Sequence, residues 1–221
     1  GNVLRNGNYP LSVSSERYFQ ASQVARYAEQ INADAVAHGS TGAGNDQVRF
    51  DTVISVLAPE MDIFAPVRDE KLTREEEIAY LKEKGVDLNW EEHKYSLNEG
   101  LWGTSIGGDE TLTSHKSIKD SSVKKQNQKE NRELVLYFEK GECVGINRSK
   151  FKNPVEAIES LNQIGKDYGI GMDYHTGDTI IGEKGRIAFQ APAALMIIKS
   201  HHLLEKHTMT KHQLQWKNQI S

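Results

Sequence analysis

Residues 14–85 alternate helix and short strand and are broken by one glycine-rich turn, and this pattern restricts the fold more than any other feature. Ser14 or Ser15 is placed to cap a helix in which Tyr18, Ala21, Ala25, Ala28 and Ile31 recur at helical spacing. Ala35-Val36-Ala37 reads as a short strand that ends at His38. The turn Gly39–Gly44 then opens a second helix, with Phe50, Val53, Ile54 and Leu57 on its apolar side and Pro59 just past its end. Met61–Ala65 reads as the next strand. Thr73 and Glu76 have capping-box spacing for a third helix, which stops near Gly85. A helix between successive strands is a crossover connection, so the strands are expected to be parallel. Residues 1–88 are therefore expected to form the closing part of an α/β domain.

The remainder, residues 89–221, predicts an α+β domain. Residues 112–133 are rich in Lys, Ser, Gln and Asn and read as a surface loop. Glu133–Glu139 alternates, with Leu134, Leu136 and Phe138 on one face, and Lys140-Gly141 turns it into a second strand through Ile146. Asn153-Pro154 opens a helix with Val155, Ile158, Leu161 and Ile164 at helical spacing, and Gly169 ends it. Residues 179–190 suggest two short strands. Helices follow from Pro192 to about Lys206 and again at the end of the chain.

Charge and composition exclude several classes. A net charge of −4 and a pI near 6.1 provide no basic field for nucleic acid. No apolar run approaches the ~20 residues of a membrane-spanning helix. Cys143 is the single cysteine, so an intrachain disulfide is excluded. With no signal segment at the start, these features predict a cytoplasmic protein. The opening Gly1-Asn2-Val3-Leu4-Arg5 has no initiator Met and runs into a helix pattern. An internal cut in a longer chain is the reading preferred over removal of a tag.

The turn His38-Gly39-Ser40-Thr41-Gly42-Ala43-Gly44-Asn45-Asp46 carries the chemistry. It leaves a strand and enters a helix, where free backbone N–H groups suit an anion. Asn45 and Asp46 add groups for an amide, an amine or a urea, and Arg49, one turn on, suits a carboxylate or carbonyl. Asn45 stands where a Walker A loop needs Lys, and Gln47 where a dinucleotide fingerprint needs its third Gly, so neither motif is present. A plain structural connection is the competing reading; the polar cluster Thr41, Asn45, Asp46 and Arg49 favours function.

The stretch His38–Phe50 closely resembles the signature His-Gly-x-Thr-Gly-x-Gly-Asn-Asp-Gln-Val-Arg-Phe of the argininosuccinate synthases. Tyr95–Ser105 resembles that family's Ser-x-x-Glu-Asn-Leu-x-x-x-Ser block, and Tyr168–Ala193 resembles a third segment through Gly182-Glu183-Lys184-Gly185-Arg186 and Ala191-Pro192-Ala193. The resemblance covers nearly the whole chain. It implies the tail of an adenine-nucleotide α-hydrolase-like (ATP-pyrophosphatase) domain followed by a synthetase domain. It also implies an ATP-dependent carbon–nitrogen ligase that uses Mg2+ and joins citrulline to aspartate, as a homotetramer when intact. Thr41, Asn45 and Asp46 would hold aspartate. Tyr18, Asn45, Arg49, Ser96 and Ser105 would face citrulline. His38, Gly39, Ser40, Thr41, Gly42 and Gly44 would line ATP.

Departures from the family pattern concentrate at one end of one substrate. Gln23 replaces a Ser, Gly177 a Glu and Phe189 a Tyr at positions that face citrulline in the family. Asp178, beside Gly177, is the candidate replacement carboxylate, and an N-acylated citrulline is the alternative substrate. The family's phosphate loop, Ser-Gly-Gly-x-Asp-x-Ser, is expected upstream of Gly1, so the 221 residues alone are expected to be inactive. Competing readings are a non-catalytic binding or assembly module and another ATP-pyrophosphatase. His201, His202, His207 and His212 lack a completing Cys or carboxylate cluster and carry no metal expectation. Trp90, Trp102 and Trp216 are expected in core or interface, and Lys116, Lys119, Lys124 and Lys125 on a solvated loop.

Overall fold

The computed structural model describes residues 4–10, 13–86, 88, 95–118 and 130–220. Trp90, Lys119, Lys124 and Lys125 lie outside these. The described chain is mixed α/β and divides into two compact units. One comprises Val13–Ser96 with Thr176–Gly185; the other comprises Gly1–Ser12, Leu97–His175 and Arg186–Ser221.

The first unit follows the predicted alternation. Helix α1 spans Val13–Gln30, strand β3 Ala35–Ala37, helix α2 Asn45–Leu57 and strand β4 Asp62–Phe64. Strands β3 and β4 pair in parallel, with Val36 opposite Ile63. Ala25 and Ala28 of α1 pack with Val36, Ile54 and Ala58, which places small residues where α1 and α2 approach. Two details differ from expectation. Helix α1 begins at Val13, so Ser14 and Ser15 lie in its first turn rather than at its cap. Tyr18 and Ile31 are exposed, because the buried stripe is the alanine row Ala21, Ala25 and Ala28. A short helix α3, Pro66–Asp69, intervenes before α4, Arg74–Glu83. The capping box of α4 is complete: Thr73 Oγ1 accepts from Glu76 N–H, and the Glu76 carboxylate accepts from Thr73 N–H.

In the second unit, β1 (Leu4–Arg5) and β2 (Tyr9–Pro10) form a small hairpin that the sequence did not suggest. A four-stranded sheet has the order β10-β11-β6-β5, from β5 (Ser96–Gly100), β6 (Gly103–Gly107), β10 (Met172–Asp178) and β11 (Lys184–Gln190). Strands β7 (Leu136–Glu139), β8 (Glu142–Ile146) and β9 (Ser149–Lys150) make a second sheet, with Lys140 and Gly141 at positive φ in its tight turn. Helix α5 (Pro154–Asp167) is capped by the Asn153 side chain, and it packs with Cys143, Ile146 and Ala193. Its buried stripe is Ala157, Leu161 and Gly165, while Val155, expected inside, is exposed. Helices α6 (Pro192–Thr208) and α7 (Lys211–Ile220) close the chain. Trp216 is exposed, and Trp102 is half-buried against Phe189 and Ala194.

The strand pair expected at 179–190 is displaced. Its first strand is β10, and residues 179–183 form the turn instead. Thr179 and Ile180-Ile181 have strand propensity, but Gly182 at φ +86° bends the chain and Thr179 N–H closes the turn onto Glu183 O at 2.7 Å.

His175 on β10 is 6% exposed and stacks on Tyr9, with ring centroids 4.9 Å apart. Neither ring nitrogen has a hydrogen-bond partner among the described residues. Burial, reinforced by the Arg5 charge, pushes its pKa below the ordinary 6.5. The folded chain thus keeps His175 neutral while the unfolded chain protonates it near 6.5. Below that pH the unfolded state binds more protons, so stability is full above it and falls as pH drops toward the depressed folded value. Urea midpoints measured across pH 7.5 to about 5 should decline, and His175→Leu should flatten that slope.

Candidate functional site

The glycine turn is placed by the elements on either side of it. Strand β3 delivers His38, and α2 starts at Asn45 with Gly44 as its N-cap. Gly44 supplies no side-chain cap, so the first N–H groups of α2 are not taken up by a capping side chain. Gly44 N–H bonds Thr41 O at 3.2 Å, and the Gln47 amide donates to Gly42 O. This arrangement suits an anion.

Asp46 lies between two arginines. Arg49 Nη1 donates to its Oδ1 at 2.7 Å, and Arg17 Nε, from α1, donates to its Oδ2 at 3.2 Å. Arg49 is only 7% exposed, so its guanidinium is held in place by packing as well as by charge. Asn45 Oδ1 accepts from Ile180 N–H at 2.7 Å, which fixes the side-chain amide.

The structure brings Thr41, Asn45, Asp46 and Arg49 together with the glycines. The exposed Tyr18 follows Arg17 on α1. Ser96 is exposed at the start of β5. Ser105 is buried in β6, opposite Phe189, in the second unit. Asp178 is held by Lys184 Nζ at 2.6 Å across its hairpin. Phe189 is 1% exposed and packs against Tyr9, Ala191 and Ala194. The His38 side chain turns toward α2, where Nε2 lies 2.9 Å from Asp51 Oδ1. Asp51 and Arg68 were not singled out in the sequence, and Arg17 was noted only as the residue before Tyr18. Asp46 is 29 residues from Arg17, and no local pattern links them.

Two family models together match most of the chain. Residues 1–87 match the model described as the arginosuccinate synthase N-terminal HUP domain, and residues 95–221 match the arginosuccinate synthase C-terminal domain. The chain belongs to the argininosuccinate synthase family. Among curated argininosuccinate synthases, it is 40% identical to that of Methanocaldococcus jannaschii over 220 residues, covering 98% of this chain and 55% of the relative. It is 38% identical to that of Sulfurisphaera tokodaii over 221 residues, covering 99% and 56%. It is 37% identical to that of Rubrobacter xylanophilus over 222 residues, covering 98% and 54%. The chain thus spans about half the length of the argininosuccinate synthases it matches. No helix among the described residues is long and apolar enough to cross a membrane.

Proposed function

We propose that this chain carries the amino-acid-binding turn of an ATP-dependent carbon–nitrogen ligase that joins citrulline to aspartate. The products are argininosuccinate, AMP and pyrophosphate. The observation that carries this reading is the Arg17–Asp46–Arg49 clamp at the start of α2. Two guanidinium groups around one carboxylate leave a positive balance that favours a ligand carboxylate. Asp46 offers the opposite charge to a substrate amine, and Thr41 and Asn45 stand beside it. The backbone of His38–Gly44 would line the nucleotide.

In the proposed reaction the ureido oxygen of citrulline displaces pyrophosphate from the α-phosphorus of ATP. The aspartate amine then displaces AMP from the activated ureido carbon. The residues described here position the two amino acids and balance their charge, which is where most of the acceleration would arise. Mg2+ would arrive on the ATP phosphates.

Free citrulline is the proposed ureido substrate. An acyl group would need a surface to lie on, and Phe189 has its ring inside the core. Asp178 is exposed enough to exchange Lys184 for a substrate ammonium. A homotetramer is also proposed, on the support of exposed Leu203, Leu204, Trp216 and Ile220 along α6 and α7.

The test has a binding arm and a turnover arm. Aspartate added to the isotope-labelled chain should shift the amide signals of Thr41–Arg49 selectively. The full-length ligase should then show higher kcat/KM for citrulline than for N-acetylcitrulline or N-succinylcitrulline, with pyrophosphate release depending on aspartate. Absence of any aspartate response at the turn would refute the site, and preference for an acylated form would refute free citrulline.

A further inference from the structure

We propose that His38, Asp51 and Arg68 act as positioning residues that set the shape of the glycine turn, with the His38 imidazole facing away from the ligand. This inference rests on the turn being the amino-acid site. It assigns His38 a side-chain role distinct from lining a nucleotide.

The geometry supplies the direction of each bond. Ser40 N–H donates to His38 Nδ1 at 3.3 Å, so Nδ1 is the acceptor and carries no proton. The proton therefore sits on Nε2, which donates to Asp51 Oδ1 at 2.9 Å. The other Asp51 oxygen accepts from Arg68 Nη1, and Arg68 Nε donates to Asp69 Oδ1 at 2.9 Å. One carboxylate on α2 thus holds a histidine from the end of β3 and an arginine from α3. The His38 side chain is 7% exposed and its ring packs at 5.6 Å from that of Phe50, so the imidazole is held by packing as well as by its bonds.

Both arms reach the turn. The imidazole holds the backbone at Ser40, two residues into it. The aliphatic stem of Arg68 lies beneath Gly42, where an added Cβ would come within 3.6 Å of Arg68 Cγ. The turn is therefore held at Ser40 by the imidazole and packed at Gly42 by the Arg68 stem. The groups that would touch substrate, Thr41, Asn45 and Asp46, follow directly. A site must be held within about 0.5 Å of its productive geometry by such supporting contacts. A lone pair on Nδ1 is what accepts from Ser40, so the Nε2–H tautomer is the one that supports the turn.

The experiment uses the isotope-labelled chain. The imidazole nitrogen shifts of wild-type His38 should report a protonated Nε2 and an unprotonated Nδ1. Asp51→Asn, whose amide group cannot accept from both His38 and Arg68, should move the amide signals of Ser40–Gly44. The signals of α1 and α5 should stay in place. Its aspartate dissociation constant should rise roughly tenfold. Asp51→Glu keeps a carboxylate and should restore the tautomer and most of the affinity. A protonated Nδ1 in the wild type, or turn signals unmoved in Asp51→Asn, would overturn the proposal. If wild type binds no aspartate, the amino-acid site fails while the tautomer and the turn signals still decide the positioning role. If aspartate binds wild type and Asp51→Asn equally, the positioning role fails and the site stands.

Discussion

Gly171→Ala should destabilise the second unit by roughly 2–5 kcal/mol. Two costs combine at this position. Gly171 has φ +86°, a conformation that Ala adopts only under strain. A Cβ there would also lie 2.6 Å from Pro192 N, 2.7 Å from Pro192 Cα and 2.8 Å from Ala191 C. All three are backbone atoms at the start of α6, and Ala191 N–H is itself bonded to Gly171 O at 2.8 Å. No side-chain rotation relieves the overlap, so α6 must shift. Gly182→Ala separates the two costs. Gly182 has the same φ of +86° but open space around its Cβ position, so its loss should be only about 1–2 kcal/mol. Urea denaturation of both variants gives the difference. Equal midpoints would show that the packing against Pro192 costs nothing.

Asp46→Ala should weaken aspartate binding roughly ten- to a hundredfold, by the loss of charge-assisted bonds worth about 1.5–3 kcal/mol. Its second effect falls on the protein itself. Arg49 is buried, and the variant removes the carboxylate that neutralises it and Arg17 together. Because the Asp46 side chain is one-third exposed, solvent screens part of that loss, and the stability cost should be nearer 1 kcal/mol than the ~3–5 of a fully buried pair. Arg49→Ala should fall mainly on the ureido substrate. Steady-state kinetics of the proposed ligase with each substrate varied, alongside thermal unfolding of the chain, separate the two effects. Unchanged kinetics in both variants would remove the clamp from the site.

The parts of this fold that were legible in the sequence are those governed by local chemistry. The capping pair Thr73 and Glu76, the Asn153-Pro154 helix start and the Lys140-Gly141 turn each act over a few residues, and each is found where the pattern puts it. The turn from His38 to Asp46 was legible for the same reason. What escaped depends on residues far apart. Arg17 meets Asp46 across 29 positions, and Arg68 meets Asp51 across 17. Neither pairing has a period. The displaced β10–β11 hairpin shows a different failure: Thr179-Ile180-Ile181 have strand propensity, yet the positive φ of Gly182 makes them a turn. The buried face of α1 was misjudged at its ends, since alanines rather than the larger Tyr18 and Ile31 fill the narrow space beside α2.

The bond from Ile180 to Asn45 has a consequence for which molecules the turn can select. A carboxamide has two unlike ends, and an isolated Asn can rotate to offer either one. Here the backbone N–H of Ile180 holds the oxygen end, so the nitrogen end, with its two hydrogens, is the one directed elsewhere. Asn45 therefore meets a visitor as a donor. In the proposed site, carbonyl, ureido and carboxylate oxygens would match that donor end. In the proposed site, a hairpin tip more than a hundred residues along the chain thus sets which end of one side chain of the turn would face a ligand.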